Sequence, residues 1–322
     1  MTAAIGLESY LEFLSKEYLG DFIRQGGASV KFLVNSDPKA TDRVHAGLAD
    51  TAAADGYVYA RIEGSVTKVH QIDQVFFAVA RQVDWVALAA RFVRSAYEAV
   101  SFPVPDEPGE LRIAAAATRH GVDHRELYRS VRRHLEAQVL GDHAMVHEFR
   151  LAMLRICQAQ LDAGDIDDAE RDAVLDWLRG DLRQVSRVRS SLIYTRVARH
   201  NARHLLLSTA HWLVRTGHSG LLLDLDIGRL LVSRRPPVEE REGLYYSKAM
   251  VIDAYEVLRQ LVDATDDLSA TLVAVSAPLD FVTDETRGLT SYTALQLRVA
   301  DEVRDRRRSN PYAALVRVST TP

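Results

Sequence analysis

The chain has 322 residues, 47% of them hydrophobic and 26% charged, with a formal net charge of −4. That composition belongs to a globular protein with an ample core, built as one large domain or two smaller ones. It argues against a protein that coats nucleic acid by bulk charge and leaves room for a local basic face.

A single cysteine, Cys157, excludes an internal disulfide and suits a reducing compartment. It falls in the apolar helical pattern "LAMLRICQAQL", which predicts a buried, inert thiol. The opening "MTAAIGLESYLEFL" carries acids and no uninterrupted apolar core, so no signal peptide is expected. No stretch approaches the roughly 18 apolar residues that span a bilayer, and the expectation is a cytoplasmic protein without a membrane partner.

Residues 7–25 space their apolar positions by three and four, predicting an amphipathic helix stopped by Gly26-Gly27. "SVKFLVN" reads as a buried strand, "ADTAAADG" with its upstream neighbours as helix, and "YVYARIE" as a second strand. A helical stretch follows from about Lys68 to Val100 and ends at the proline-rich "FPVPDEPG". From Pro108 to Thr216 the pattern is almost wholly helical. "LLLDLDI" is a strand too apolar to be half exposed, "SKAMVIDAYEVLRQLVDAT" an amphipathic helix, "ATLVAVSAP" another buried strand, and the tail reads as helical. Apolar strands separated by helices predict a parallel sheet covered on both faces. The chain divides into 1–107 (N-terminal helix and first half of an α/β core), 108–216 (helical insertion) and 217–322 (second half of the core and a helical tail).

Three segments carry a likeness. They are "GGASVKFLVNSDPKATDRVHAGL" with "GYVYARIEGSVTKVHQIDQVFFAVAR"; "WLRGD" with "IYTRVARHNARHLLLSTAHWLVRTGHSGLLLDLDIGRL"; and "YYSKAMVIDAYEVLRQLVDATDDLSATLVAVSAPLDFVTDETRGLTSYTAL". In this order and spacing they resemble the ATP-binding proteins of BREX-type phage-defence islands, a branch of the AAA-like P-loop ATPases. The likeness covers most of the chain outside the helical middle. It implies a P-loop NTPase core, a parallel sheet flanked by helices, with a large helical insertion.

In such ATPases the first strand enters a loop G-x-x-x-x-G-K-[ST], whose amides wrap the phosphates while the lysine reaches the outer ones and the hydroxyl holds magnesium. Here "VKFLV" enters Asn35-Ser36-Asp37-Pro38-Lys39-Ala40-Thr41-Asp42. Asn35 and Ala40 stand for the glycines, Thr41 for the lysine and Asp42 for the hydroxyl. A charge-assisted hydrogen bond contributes roughly 1.5–3 kcal/mol, and about 1.4 kcal/mol is tenfold in affinity. Losing the lysine, placing Asp37 and Asp42 near a triphosphate and deleting an amide at Pro38 therefore all oppose binding. Lys39 lies two places early; its plain reading is a solvated loop lysine.

The second motif is an apolar strand ending in Asp-Glu, for magnesium and for activating water. The matching pair is Asp226 and Ile227, so the base is missing. Asp224 shares a sheet face with Asp226 and reads as an acidic remnant held by an arginine, with a cation as the sharper alternative. Ser276 stands where related ATPases keep a polar residue sensing the outer phosphate. Arg287 matches a family arginine and is a candidate for a subunit interface or a helix cap.

His143/His147 and His200/His204, with His211 beyond, have helical metal-ligand spacing. Ala144 and Asn201 follow the first histidine of each pair, where zinc proteases carry Glu, so surface or core histidines are expected and no metal. Basic clusters at Arg129/Arg132/Arg133, Arg234/Arg235 and Arg304/Arg306/Arg307/Arg308 read as solvated charge, with DNA phosphates as the functional alternative.

The resulting expectation is a catalytically inactive P-loop ATPase homologue, a scaffold or regulatory subunit of a bacterial anti-phage or DNA-processing complex. No cofactor is expected, and an intact ATPase paralogue, a helicase and DNA are the candidate partners. Two alternatives stand beside it. One is an active ATPase using Lys39 and Asp226 with ATP and magnesium. The other is a DNA-binding module working through its arginines.

Overall fold

Three runs that read as buried strands lie side by side at the centre of one sheet. The computed structural model describes residues 4–35, 37, 41–102, 111–235, 237, 243–300 and 310–319. The chain forms two units, Met1–Val79 with His218–Pro322 and Ala80–Gly217.

The first unit opens with β1 (Ile5–Gly6), α1 (Leu7–Phe13) and a π-helix (Leu14–Phe22). It continues through β2 (Ala28–Asn35), α2 (Thr41–Ala54) and β3 (Tyr57–Glu63). The helix expected over 7–25 is thus corrected: it widens from α into π geometry at Leu14 and gives way to a turn before Gly26, whose φ of 98° is left-handed. α3 (Ile72–Gln82) carries the chain to the second unit.

That unit holds α4 (Trp85–Ala99), α5 (Ile113–His120), α6 (His124–Leu140), α7 (His147–Leu161), α8 (Asp168–Arg179) and α9 (Arg199–Arg215). Aspartates at Asp84, Asp123 and Asp167 cap α4, α6 and α8 by accepting from backbone amides three residues on. Its core includes the ring pairs Trp85–Phe149 and Phe92–Trp212. Cys157 is fully buried there and burial pushes its thiol pKa up, as an inert core thiol requires.

The chain then returns to the first unit through β4 (Gly220–Asp226), α10 (Lys248–Asp263), β5 (Thr271–Pro278), α11 (Asp280–Thr283), α12 (Thr293–Val299) and β6 (Leu315–Ser319).

The six strands form one sheet in the order β1-β6-β2-β5-β4-β3, and every pairing is parallel. This is an α/β fold. β2, β4 and β5 are buried on both faces, which is why they read as unbroken apolar runs. On one face Leu33, Leu222, Leu272 and Val316 pack with Tyr10 and Leu14 below and Val44 and Leu48 of α2. On the other, Phe32 stacks on Phe281, which meets Tyr255 of α10 edge-on.

The tail expected to be helical is corrected as well: after α12 the chain returns as β6 against β2. "LVRVS" is too short for a periodicity signal, and its neighbour in the sheet selects the strand. Lys31 on β2 anchors this return. Its Nζ, buried in the core, donates to Tyr312 O at 2.7 Å, Ala313 O at 3.1 Å and Tyr18 Oη at 2.7 Å. Burial lowers its pKa to about 8. Lys31→Met keeps the length but strips both carbonyls of their donor; a loss of about 1–3 kcal/mol in urea-unfolding stability is expected. No helix among the described residues is long and apolar enough to cross a membrane.

Candidate functional site

β2, β4 and β5 end together. Register pairs Asn35 with Pro278 and Asp226 with Ser276. The crevice beyond the carboxyl ends of parallel strands is where α/β folds place ligands. A cavity of about 270 Å³ lies there, bordered by Asn35, Thr41, Asp226, Arg229 and Ser276. The sheet order therefore brings the sequence-predicted residues Asn35, Thr41, Asp226 and Ser276 to one place.

Alternation along β4 puts Leu222, Asp224 and Asp226 on the face that α2 covers, and along β5 does the same for Leu272, Ala274 and Ser276. One turn into α2, His45 faces this acidic strand end. It is 2% exposed and Asp224 is fully buried. His45 Nδ1 lies 2.5 Å from Asp224 Oδ2, and Nε2 lies 3.7 Å from Asp226 Oδ2. Tyr59 Oη donates to Asp224 Oδ2 at 2.6 Å and Ser276 Oγ donates to Asp224 Oδ1 at 3.1 Å. The partners of Asp224 are thus a histidine, a tyrosine and a serine, where the sequence suggested an arginine. A carboxylate removed from water costs several kcal/mol unless paired and hydrogen-bonded, and these three groups supply that compensation.

Burial pulls the His45 pKa down, but the Asp224 and Asp226 carboxylates more than offset it and raise it to about 9. His45 is therefore an imidazolium at neutral pH. Burial works to raise the Asp226 pKa, yet His45 and the Gly228 amide, which donates to Oδ1 at 2.8 Å, hold it below the usual value. Burial and the Asp224 carboxylate push the Tyr59 phenol up, so it remains a donor.

Around the first strand's end, Asn35 Oδ1 accepts from Asp37 N at 3.1 Å and Asn35 Nδ2 donates to Asp37 O at 2.7 Å. This closes a local turn that consumes the Asp37 amide. Ser36, Pro38, Lys39 and Ala40 lie outside the described residues. Asp42 is exposed, 4.0 Å from Arg61. Arg229 on the cavity wall donates from Nε to Leu244 O at 2.6 Å. Ile227 is fully buried.

The remaining candidates lie elsewhere. Arg287 is inside the fold, donating to Leu230 O and Tyr246 O at 3.0 Å each and to Tyr245 Oη at 3.1 Å, so its guanidinium is spent within the chain rather than offered at a surface. Arg234 and Arg235 are exposed, and Arg304, Arg306, Arg307 and Arg308 lie outside the described residues. His211 meets Asp142 at 2.9 Å, His143 meets Arg150 at 3.1 Å, and His200 and His204 face solvent.

His45 is the residue that sequence reasoning missed. The one available signal was a histidine beside the apolar positions Val44 and Leu48 of a helix that must cover the acidic strand.

A nucleoside triphosphate with magnesium fits these described residues poorly. The Asp37 amide is consumed, the Ser276 hydroxyl is committed to Asp224, and the Asp226 carboxylate faces an internal cation and a backbone amide.

Comparison with known families gives a match over residues 110–321 to the model described as BREX system ATP-binding protein BrxC/D. The matched stretch contains Asp224, Asp226, Ser276 and Arg287; it leaves out β2 and α2, and with them positions 35–42 and His45. No curated protein and no solved structure matches the chain.

Proposed function

Since this chain belongs to the family of BREX system ATP-binding proteins, we propose that it serves its phage-defence complex as an ATPase homologue that does not turn over ATP. Family membership makes it a component of a multi-protein phage-defence system. In our reading the α/β core is kept as a scaffold or regulatory subunit, and hydrolysis is left to an intact ATPase paralogue or a helicase beside it.

The observation that carries this reading is the His45 imidazolium set between Asp224 and Asp226. In working P-loop ATPases the strand-end aspartate supports a magnesium ion. Here a side chain of the protein itself supplies the positive charge. A second cation close to His45⁺ would be repelled, and expelling the imidazolium would strand a buried carboxylate. The loss of the loop glycines and lysine, and Ile227 in place of the glutamate, point the same way.

Thermal melting with millimolar ATP and magnesium tests this. No stabilisation and no phosphate release are expected from the purified protein. A ligand at a hundred times its Kd would add about 2.7 kcal/mol, an easily read shift. ATP-dependent stabilisation or hydrolysis that disappears on Asp226→Asn would overturn the proposal and favour the active alternative through Lys39.

A further inference from the structure

Between α8 and α9 the second unit carries a segment whose charge departs from the rest of the chain. Residues 180–198 hold four arginines and one acid, Asp181, in a protein whose net charge is −4. Asp181 is already engaged by Arg81 at 2.9 Å. Arg187 pairs with Asp176 at 3.2 Å. Arg183, Arg189 and Arg196 are exposed, and among the described residues none of them has a carboxylate partner. Between the last two stand Leu192 and Tyr194, exposed by 50% and 64%.

The display is held from beneath. Val188 and Ile193 are fully buried, Trp177 Nε1 donates to Thr195 O at 2.8 Å, Ser191 Oγ donates to Glu170 Oε1 at 2.6 Å, and Arg155 donates to Ser190 O at 3.2 Å. Leu192 sits at φ 63°, the left-handed region that a bulky side chain adopts only under constraint. Strain of this kind persists where the surroundings over-determine it, and such positions cluster at binding sites. Here the constraint turns an apolar side chain outward, opposite in sense to what burial would favour.

We propose that residues 183–196 form a nucleic-acid-binding loop, with Arg183, Arg189 and Arg196 on backbone phosphates and Tyr194 and Leu192 against bases. Arg196 donates to the Arg183 carbonyl at 2.7 Å, and guanidiniums without a carboxylate partner match phosphates without reading sequence. An exposed tyrosine offers a stacking face to an unpaired base, and an outward leucine has the shape of the apolar wedges that enter base steps. This combination favours a polynucleotide over an acidic protein surface, which would pair the arginines and leave the ring and the leucine unmatched. The assignment stands independently of the ATPase reading.

The test uses the full chain and fluorescently labelled 30-nucleotide DNA, single-stranded and duplex, between 50 and 200 mM salt, with polyglutamate as the acidic polypeptide control. Three phosphate contacts predict a log–log salt slope of about −2 to −3, so affinity should fall at least tenfold across that range. Arg189→Gln with Arg196→Gln should reduce the slope by about 1.5 to 2. Tyr194→Ala should weaken single-strand binding by about five- to a hundred-fold with the salt slope unchanged. All these side chains are exposed, and an unchanged melting temperature verifies folding. Absence of DNA binding at 50 mM salt, binding indifferent to these substitutions, or polyglutamate bound as tightly as DNA with the same dependence on Tyr194, would each overturn the proposal.

Discussion

Replacing His45 with alanine is expected to lower the stability of the protein by about 3–5 kcal/mol, the usual cost of removing one partner from a buried ion pair. The reason is electrostatic rather than steric. Asp224 is fully buried, and without the imidazolium its hydrogen bonds among the described residues would come from the Tyr59 and Ser276 hydroxyls. Two hydroxyl donors hydrogen-bond a carboxylate but do not neutralise it. The loss belongs to the stranded charge, so His45→Leu combined with Asp224→Leu should be much less harmful than the sum of the two single changes. Urea unfolding of His45→Ala beside the four proteins of the leucine cycle measures this directly. A His45→Ala loss under 1 kcal/mol, or additive losses in the double variant, would show that the pair is not the electrostatic centre described above.

The second large effect is on pH. The His45 pKa is raised from 6.5 to about 9 in the folded chain. Between those values the native state holds a proton that the unfolded state releases, so stability is greatest below pH 6.5 and is lost as pH rises toward 9. Lys31 acts in the opposite sense, because its folded pKa of about 8 lies below its ordinary 10.5. Between pH 8 and 10.5 the unfolded state holds the extra proton, and stability rises with pH. The clean window for His45 is therefore pH 6.5 to 8, where the slope approaches 1.4 kcal/mol per pH unit and the expected loss is about 2 kcal/mol. Above pH 8 the two slopes nearly cancel. Denaturation curves at half-unit intervals should show the fall and then a plateau. His45→Gln should flatten the fall, and Lys31→Met should extend it to pH 9. Stability that is flat or rising between pH 6.5 and 8 in the unaltered protein would contradict a charged His45.

These expectations bear on how the acidic strand end of this fold is balanced. In this chain the counter-charge to the strand-end acids Asp224 and Asp226 is a histidine one turn into α2. The core then keeps its electrostatic balance with no ligand.

Much of this protein could be read from residues in a row. Three apolar runs long enough for strands but too short for membrane helices, separated by amphipathic helices, already imply a parallel sheet buried on both faces. The isoleucine after Asp226 and the apolar setting of Cys157 are equally plain, because each is a matter of residue type along the chain. What could not be read there depends on which strands are neighbours. His45 and Asp224 are 179 residues apart and meet only because β4 lies two places from β2 and α2 covers both. Arg287 looks like a surface arginine until the fold encloses it, and "LVRVS" becomes a strand because β2 offers it a ladder. Leu192 is apolar, yet the anchors around it turn it outward. Periodicity is a property of the local backbone, whereas pairing of charges, burial of a guanidinium and strain at a loop arise from contacts between distant segments, and only the folded chain brings those together.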